Sequence, residues 1–189
     1  MDAFSCAACP RRCGALRKPA QPSGGFCGMP AGFVVARAAL HQWEEPCISG
    51  QHGSGTVFFS GCSLRCVYCQ NQQISLGRYG ALVTEENLLR MFDRLIEQGA
   101  HNLNLVNPTH YAPMLAKALK KYCSPVPVIY NSGGYERVEM LKALEGLVDI
   151  YLPDLKYVDS AVSLRYSGAA DYFDYASKAI LEMLSLIHI

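Results

Sequence analysis

Seven of the nine cysteines fall into two groups whose spacing suits metal binding. Three lie within eight residues of one another: Cys62, Cys66 and Cys69. Four lie in a proline- and glycine-rich N-terminal stretch: Cys6, Cys9, Cys13 and Cys27. Thiolates are the preferred ligands of structural zinc and of iron–sulfur clusters. The other two, Cys47 and Cys123, stand alone, and we expect ordinary thiols there.

The three-cysteine group suits an iron–sulfur cluster with one open iron. Three thiolates for four irons leave one iron without a protein ligand, so an exogenous molecule can bind there. Structural zinc normally takes four protein ligands, and no fourth is obvious nearby. Zinc and ordinary buried thiols remain the alternatives, although three cysteines after a strand fit core packing poorly.

The four N-terminal cysteines are spaced as Cys-x2-Cys-x3-Cys-x13-Cys, which predicts a zinc knuckle or a second iron–sulfur cluster. Spacing alone does not choose the metal. Prolines and glycines disfavour long helices or strands in residues 1–32, so we expect a metal to order this segment.

Composition excludes several classes of protein. An odd number of cysteines leaves one unpaired in any full set of disulfides, and half of the residues are hydrophobic. We therefore predict a reducing, cytoplasmic location. The net charge of +1 argues against binding to nucleic acid or an anionic membrane. The sequence contains no apolar run long enough to span a membrane and no secretory signal at its start.

Strand and helix patterns alternate about four times from residue 55 onward, which predicts an α/β fold with parallel strands. The predicted strands are residues 56–60, 103–106, 126–131 and 150–155. The predicted helices are residues 84–99, 111–122, 136–144 and 171–184. Ligands bind at the carboxyl ends of parallel strands, so the residues that follow each strand are candidates for a site. Residues 33–54 are predicted to be a connector.

The segment CSLRCVYC, residues 62–69, resembles the CxxxCxxC signature of radical S-adenosylmethionine (radical SAM) enzymes. The spacing, the aromatic Tyr68 and the position after the first strand of the series all match. The neighbouring Gln70-Asn71, with WEEPCISG, GSGTVFFSGC, NLVNPTH and DIYLPDLKY, resembles the pyruvate formate-lyase activating enzyme-like branch. This likeness extends from Cys6 to about Met183.

The resemblance implies a partial radical SAM (β/α) barrel over residues 55–183. It also implies a [4Fe–4S] cluster on Cys62, Cys66 and Cys69, whose open iron chelates S-adenosylmethionine (SAM). Reductive cleavage of SAM would then give a 5′-deoxyadenosyl radical. Tyr68 would lie near the adenine, and Gly61 would help to shape the pocket.

Six further positions are implied at the ends of the later strands. Asn107 and Thr109 stand where the family commonly has Gly-Gly-Glu, so oxygen atoms remain but the carboxylate is missing. After the third predicted strand, the turn Asn131-Ser132-Gly133-Gly134 lets backbone approach a ligand, or simply enters a helix. Asp154 and Lys156 match an Asp-x-Lys of the activating enzymes. Lys156 would pair with the SAM carboxylate, and Asp154 would orient it or hold a cation. The alternative is that the two form a surface ion pair at the strand end. For His110 we keep both a helix-start role and a ligand role.

The branch resemblance implies a glycyl radical enzyme, or another protein, as the substrate. Reduced flavodoxin or ferredoxin would supply the electron. The alternatives are radical SAM chemistry on a small molecule or another peptide, a zinc-binding interaction module without catalysis, and an electron-transfer protein. The four units are fewer than a full family barrel, and residues 184–189 do not continue the family pattern. We therefore expect a fragment with an exposed sheet edge that binds its cluster poorly or is unstable.

Overall fold

The computed structural model describes residues 3–77 and 79–187. Its described strands are β1 (Phe4–Ser5), β2 (Leu16–Arg17), β3 (Phe33–His41), β4 (Ser54–Phe59), β5 (Ala81–Val83), β6 (Leu103–Val106), β7 (Val128–Ser132) and β8 (Ile150–Pro153). Its described α-helices are α1 (Pro46–Ser49), α2 (Gln72–Ser75), α3 (Glu85–Glu97), α4 (Ala112–Leu119), α5 (Val138–Lys142), α6 (Ser160–Ser167) and α7 (Tyr172–Ile187). A 3-10 turn, Thr109–Tyr111, precedes α4.

The central sheet has six strands in the order β5-β3-β4-β6-β7-β8. Four neighbouring strands pair in parallel, and their order in the sheet is their order in the chain: β4, β6, β7 and β8. This is the arrangement in the wall of a βα barrel. Strand β3 runs antiparallel to both β4 and β5. The predicted α/β fold with a mostly parallel sheet is therefore confirmed. Since the carboxyl ends of the four parallel strands meet at one edge, residues far apart in sequence are brought together there.

Helix α3 shows how local sequence produces these elements. The Thr84 hydroxyl accepts a hydrogen bond from the Asn87 amide at 3.1 Å, which caps the first turn. Three apolar side chains of α3 at helical spacing are buried: Leu88, Phe92 and Leu95. They pack in the main core with strand residues that include Phe33, Val57, Phe59, Leu103 and Leu105.

Several expectations need correction. Residues 33–41 were assigned to a connector, but they form the longest strand of the sheet. Alternate side chains at its start, Phe33 and Val35, are buried, as in a strand that packs one face on the core. Helix α6 and strand β5 were not predicted. The last helix continues to Ile187, through most of the tail assigned to residues 184–189, and His188 and Ile189 lie outside the described residues. The predicted helix 136–144 is confined to Val138–Lys142.

The N-terminal cysteine segment, residues 6–27, contains little regular structure, as expected. Strand β2 lies inside it and pairs with β1 in a two-stranded ribbon. The Cys6 amide donates to the Ala15 carbonyl at 3.0 Å, and the Gly14 amide donates to the Cys6 carbonyl at 3.1 Å.

One arginine attaches this segment to the rest of the fold. The Arg11 guanidinium donates to the Ser63 carbonyl at 2.8 Å, to the Ser167 carbonyl at 2.7 Å and to the Gly168 carbonyl. Its contacts therefore join the N-terminal segment to the loop after β4 and to the end of α6. None of the helices described is both long and apolar enough to cross a membrane.

Candidate active site

The loop after β4, residues 61–71, carries three cysteines and is called the cysteine loop below. Cys66 is buried, whereas Cys62 and Cys69 are partly exposed. The Leu64 amide donates to the Cys62 sulfur at 3.3 Å. Burial raises the pKa of the Cys62 thiol, the backbone amides of Arg65 and Leu64 lower it, and the nearby Cys66 and Cys69 sulfurs raise it. The three sulfurs therefore act on one another electrostatically.

A cavity of about 400 Å³ opens where the cysteine loop meets the ends of β6, β7 and β8. Ten of the site residues predicted from sequence line it: Cys62, Cys66, Tyr68, Cys69, Asn107, Thr109, Asn131, Ser132, Asp154 and Lys156. The structure thus gathers residues from four strand ends into a single space. Apolar side chains, including Phe58, Phe59, Ile74 and Val106, line the remainder.

Two predicted residues are not part of the lining. Gly61 lies beside the cavity, and its carbonyl accepts a hydrogen bond from the Asn107 side-chain amide. A side chain at Gly61 would lie 2.6 Å from Met29, and its φ of 80° favours glycine. His110 is buried, with Nε2 2.8 Å from the Ser60 carbonyl. Burial and the Arg17 charge lower the pKa of His110 to about 3, so its imidazole is neutral at neutral pH.

Two non-glycine residues beside the cavity adopt left-handed backbone conformations. Arg65 has a φ of 52° and Asn107 a φ of 59°. Asparagine tolerates this region, whereas arginine rarely adopts it. The Asn107 amide donates to the Asn131 carbonyl at 2.8 Å, which aligns the ends of β6 and β7. Strained residues of this kind concentrate at functional sites.

Lys156 and Asp154 form an ion pair with each other after the fourth parallel strand. Lys156 Nζ lies 2.5 Å from Asp154 Oδ2, and both residues follow the end of β8. Burial works against the charged lysine, but the hydrogen bond and the charge of Asp154, with Cys66 and Cys62, leave its pKa raised. Lys156 therefore stays charged at neutral pH.

The Gly133-Gly134 turn brings β7 and β8 close together. A side chain at Gly134 would lie 2.7 Å from the Asp154 carbonyl, and one at Gly133 would lie 3.0 Å from Leu64. The buried Tyr172 hydroxyl accepts a hydrogen bond from the Lys156 amide at 2.8 Å and lies 2.8 Å from the Gly133 and Asp154 carbonyls. These contacts fix the loop that carries the ion pair.

A chain of hydroxyl groups leads to one of the sulfurs, a feature that the sequence did not reveal. The Tyr68 hydroxyl donates to the Tyr157 hydroxyl at 2.6 Å, which lies 2.6 Å from the Ser167 hydroxyl. The Ser167 hydroxyl in turn donates to the Cys66 sulfur at 3.0 Å. Ser167 is 101 residues from Cys66, and only the fold brings helix α6 against the cysteine loop.

Glu136 is a second residue that sequence reasoning missed. Its carboxylate is fully buried behind the cavity wall and accepts hydrogen bonds from the Thr109 hydroxyl and, at 3.1 Å, from the Tyr130 hydroxyl. Burial raises the pKa of Glu136 to about 7, although hydrogen bonds from Thr109, Ser132 and Tyr130 lower it. An acidic residue four positions beyond a strand that ends at the site was the available signal.

In the N-terminal segment, Cys6, Cys9 and Cys27 are buried and Cys13 is exposed. Burial raises the pKa of the Cys9 thiol to about 12. The Arg11 amide lowers it, while the Cys27, Cys6 and Cys13 sulfurs raise it, so all four thiols share one neighbourhood. The buried Arg17 guanidinium donates to the Cys27 sulfur at 3.3 Å.

Across residues 3–77 and 79–187, no three His, Cys, Asp or Glu side chains converge closely enough to hold a single metal ion. This holds for the cysteine loop and for the N-terminal segment alike.

Residues 56–187 match the radical SAM superfamily, and the chain belongs to that superfamily. The matched region starts in β4, ahead of the cysteine loop, and includes all four parallel strands. Members of this superfamily cleave SAM by a radical mechanism with a [4Fe–4S] cluster.

A curated relative is the uncharacterized protein MJ0674 of Methanocaldococcus jannaschii, which is 30% identical over 178 residues. The match covers 90% of this chain but only 51% of the relative, so the chain spans about half the length of that protein. The match therefore covers more of the chain than the superfamily region does.

Proposed function

We propose that this chain cleaves SAM reductively, with Cys62, Cys66 and Cys69 as the protein ligands of a [4Fe–4S] cluster. The observation that carries the proposal is the shared cavity: three thiols of one loop face polar groups from three strand ends. The donor set fits such a cluster, because thiolates are its usual ligands and the Ser167 hydroxyl already donates to one sulfur. When bound, the cluster would supply the electron that breaks the S–C5′ bond of SAM.

The side chains divide the binding of SAM between them. Lys156, held by Asp154, offers a cation to the carboxylate. Thr109 and Asn107 offer oxygen atoms to the amino group, and Tyr68 offers an aromatic face to the adenine. The apolar wall limits water near the reacting carbon, which protects a radical from quenching.

The test is anaerobic reconstitution with iron and sulfide, followed by dithionite and SAM, with 5′-deoxyadenosine as the readout. We expect release of 5′-deoxyadenosine from the reconstituted chain. Cys47→Ala provides a matched control, because Cys47 is exposed and lies outside both cysteine groups. Material that carries a full cluster but releases no 5′-deoxyadenosine would refute the proposal.

We further propose that the substrate is a protein that receives a glycyl radical, with reduced flavodoxin or ferredoxin as electron donor in a reducing cytoplasm. Support comes from the branch resemblance of the cysteine loop and of the Asp-x-Lys segment. A second support is that exposed apolar residues flank the cavity lining in the sequence: Val67 and Tyr68 beside Cys66, and Leu155 and Val158 near Lys156. Exposed apolar residues near a site suit contact with a macromolecule.

Electron paramagnetic resonance tests this substrate class. Candidate glycyl radical enzymes are incubated with the reconstituted chain, SAM and a reductant, and the doublet of a glycyl radical is the expected signal. Hydrogen abstraction from small molecules or short peptides, without a radical on any protein tested, would overturn the protein-substrate proposal.

We also propose a second metal site at Cys6, Cys9, Cys13 and Cys27. Three buried thiols in a segment with almost no regular structure gain stability by binding a metal, and the Arg17 guanidinium already donates a hydrogen bond to the Cys27 sulfur. Elemental analysis decides between zinc and iron at this site. Metal content unchanged by Cys9→Ala would contradict the site.

A further inference from the structure

The family position for an acidic residue after β6 is occupied in this chain by Asn107-Pro108-Thr109-His110, which carries no carboxylate. The fold provides one from another strand. Glu136 follows β7 and lies directly behind Thr109, whose hydroxyl donates to it. Among the described residues, Glu136 is the one buried acidic side chain.

None of the ion pairs among the described residues neutralises this carboxylate. Its hydrogen bonds come from neutral hydroxyls, those of Thr109 and Tyr130. A buried charge without a cationic partner is costly to fold. A ligand that brings positive charge or N–H donors to the cavity wall would offset that cost.

The direction of these hydrogen bonds decides what the wall can bind. A hydroxyl has one proton to donate and lone pairs with which to accept. Because the Thr109 hydroxyl donates its hydrogen bond to Glu136, its oxygen can only accept a hydrogen bond from a group in the cavity. This wall therefore favours a donor such as an amino group.

The opposite charge lies elsewhere in the same cavity. Lys156, after β8, is the cation in the lining, and Thr109 and Ser132 lie at the ends of β6 and β7. A cavity with acceptors backed by a carboxylate on one side, and a lysine on another, is complementary to an α-amino acid group. The methionine part of SAM has that group.

We propose that Glu136 is a positioning residue that orients the Thr109 hydroxyl as an acceptor for the amino group of SAM. This inference rests on the proposed function. Glu136 acts through Thr109 and replaces, from the next strand, the carboxylate absent after β6. The charge behind the hydroxyl strengthens the hydrogen bond that Thr109 accepts.

The test measures binding, by equilibrium dialysis, of SAM and of its desamino analogue to the cluster-loaded chain. Glu136→Gln keeps the shape and removes the charge. We expect it to weaken SAM binding about 10- to 100-fold while leaving the desamino analogue within about twofold, because one charge-assisted hydrogen bond is lost. Thr109→Val should have the same effect, and Thr109→Ser, which keeps the hydroxyl, should retain binding.

The double variant and a control complete the design. If Glu136 acts through Thr109, combining Glu136→Gln with Thr109→Val should weaken SAM no more than either change alone. Tyr130→Phe disturbs the same carboxylate at a hydroxyl that does not line the cavity, so it should change the preference for SAM over the analogue much less.

The outcomes separate the two proposals. Equal losses for SAM and the desamino analogue, additive losses in the double variant, or a Tyr130→Phe effect as large as that of Thr109→Val would each overturn the role of Glu136. A cluster-loaded wild-type chain that binds neither compound would instead refute the proposed function. Circular dichroism melts of each variant establish that it is folded.

Discussion

The two cysteine groups of this chain consist of the same residue type in different settings. The cysteine loop lies at the carboxyl ends of parallel strands, and its thiols share a cavity with Asn107, Thr109 and Lys156. The N-terminal thiols lie beside a short ribbon, and three of the four are buried. Cysteine spacing alone indicates metal binding at both places. The surroundings favour an open, reactive site at the first and a closed, structural site at the second.

The two regions are also connected. Arg11 belongs to the N-terminal segment, yet its guanidinium contacts the Ser63 carbonyl in the cysteine loop and the Ser167 carbonyl in α6. The Ser167 hydroxyl donates to Cys66. Order in the N-terminal segment therefore supports the position of the loop, so the comparison is best tested by disturbing each region separately.

The largest expected effect comes from Cys66→Ala. Removal of one of three thiol ligands should lower 5′-deoxyadenosine release by more than about 100-fold, since even outer-shell changes cost metal sites 10- to 100-fold. The measurement is the rate per chain after anaerobic reconstitution. Cys13→Ala, in the other group, should leave the visible iron–sulfur absorption of the cysteine loop in place. Equal losses from both variants would remove the distinction between the two groups.

The second-largest expected effect is the pH dependence of folding stability that Glu136 causes. Its pKa is raised from 4.5 to about 7 in the folded chain, so the folded state binds the extra proton between these values. The stability that this proton gives is present below about pH 4.5 and is lost as the pH rises through 7. The loss is about 3 kcal/mol, at about 1.4 kcal/mol per pKa unit.

Urea unfolding of the SAM-free chain from pH 5 to pH 8 measures this loss. In the Glu136→Gln variant, the free energy of unfolding should differ less between pH 5 and pH 8. At pH 8 the variant should be more stable than the wild type. Identical pH profiles for the two proteins would show that the Glu136 carboxyl is ionised at both ends of the range.

The N-terminal group should influence stability more than chemistry. Cys9→Ala should lower the melting temperature by about 5 °C or more, equivalent to about 2 kcal/mol, because the metal would hold a segment with almost no regular structure. Thermal melts with metal analysis on the same samples test this. A melting temperature unchanged by Cys9→Ala would argue against a metal-stabilised segment.

The smallest effect is expected at Ser167. Its hydroxyl donates to the Cys66 sulfur at 3.0 Å, and a hydrogen bond to a cluster sulfur stabilises the reduced, more negative state. Ser167→Ala should lower the reduction potential by about 40 mV, which corresponds to about 1 kcal/mol. A redox titration followed by electron paramagnetic resonance measures the shift, and Ser167→Thr keeps the hydroxyl. A raised potential in Ser167→Ala would contradict this assignment.

Many of the strands and helices could be predicted because the sequence patterns that indicate them are local. Thr84 caps a helix through an amide three residues away, and Leu88, Phe92 and Leu95 recur at the helical period. The parallel strands after residue 55 were predicted from equally local patterns, short runs of apolar residues that end at turn residues. Strand β3 was missed, because it pairs antiparallel with β4 and β5 and its pattern alone did not indicate a partner.

The sequence by itself determined the cysteine spacing, the α/β alternation and the polar residues that follow each strand. The tertiary structure alone decided that those strand ends share one cavity, that Glu136 is buried behind Thr109 and that Ser167 reaches Cys66. The physical reason is range. Caps, turns and the apolar faces of helices depend on neighbours within a few residues. Burial and side-chain partners depend on distant chain segments that only the folded sheet brings together.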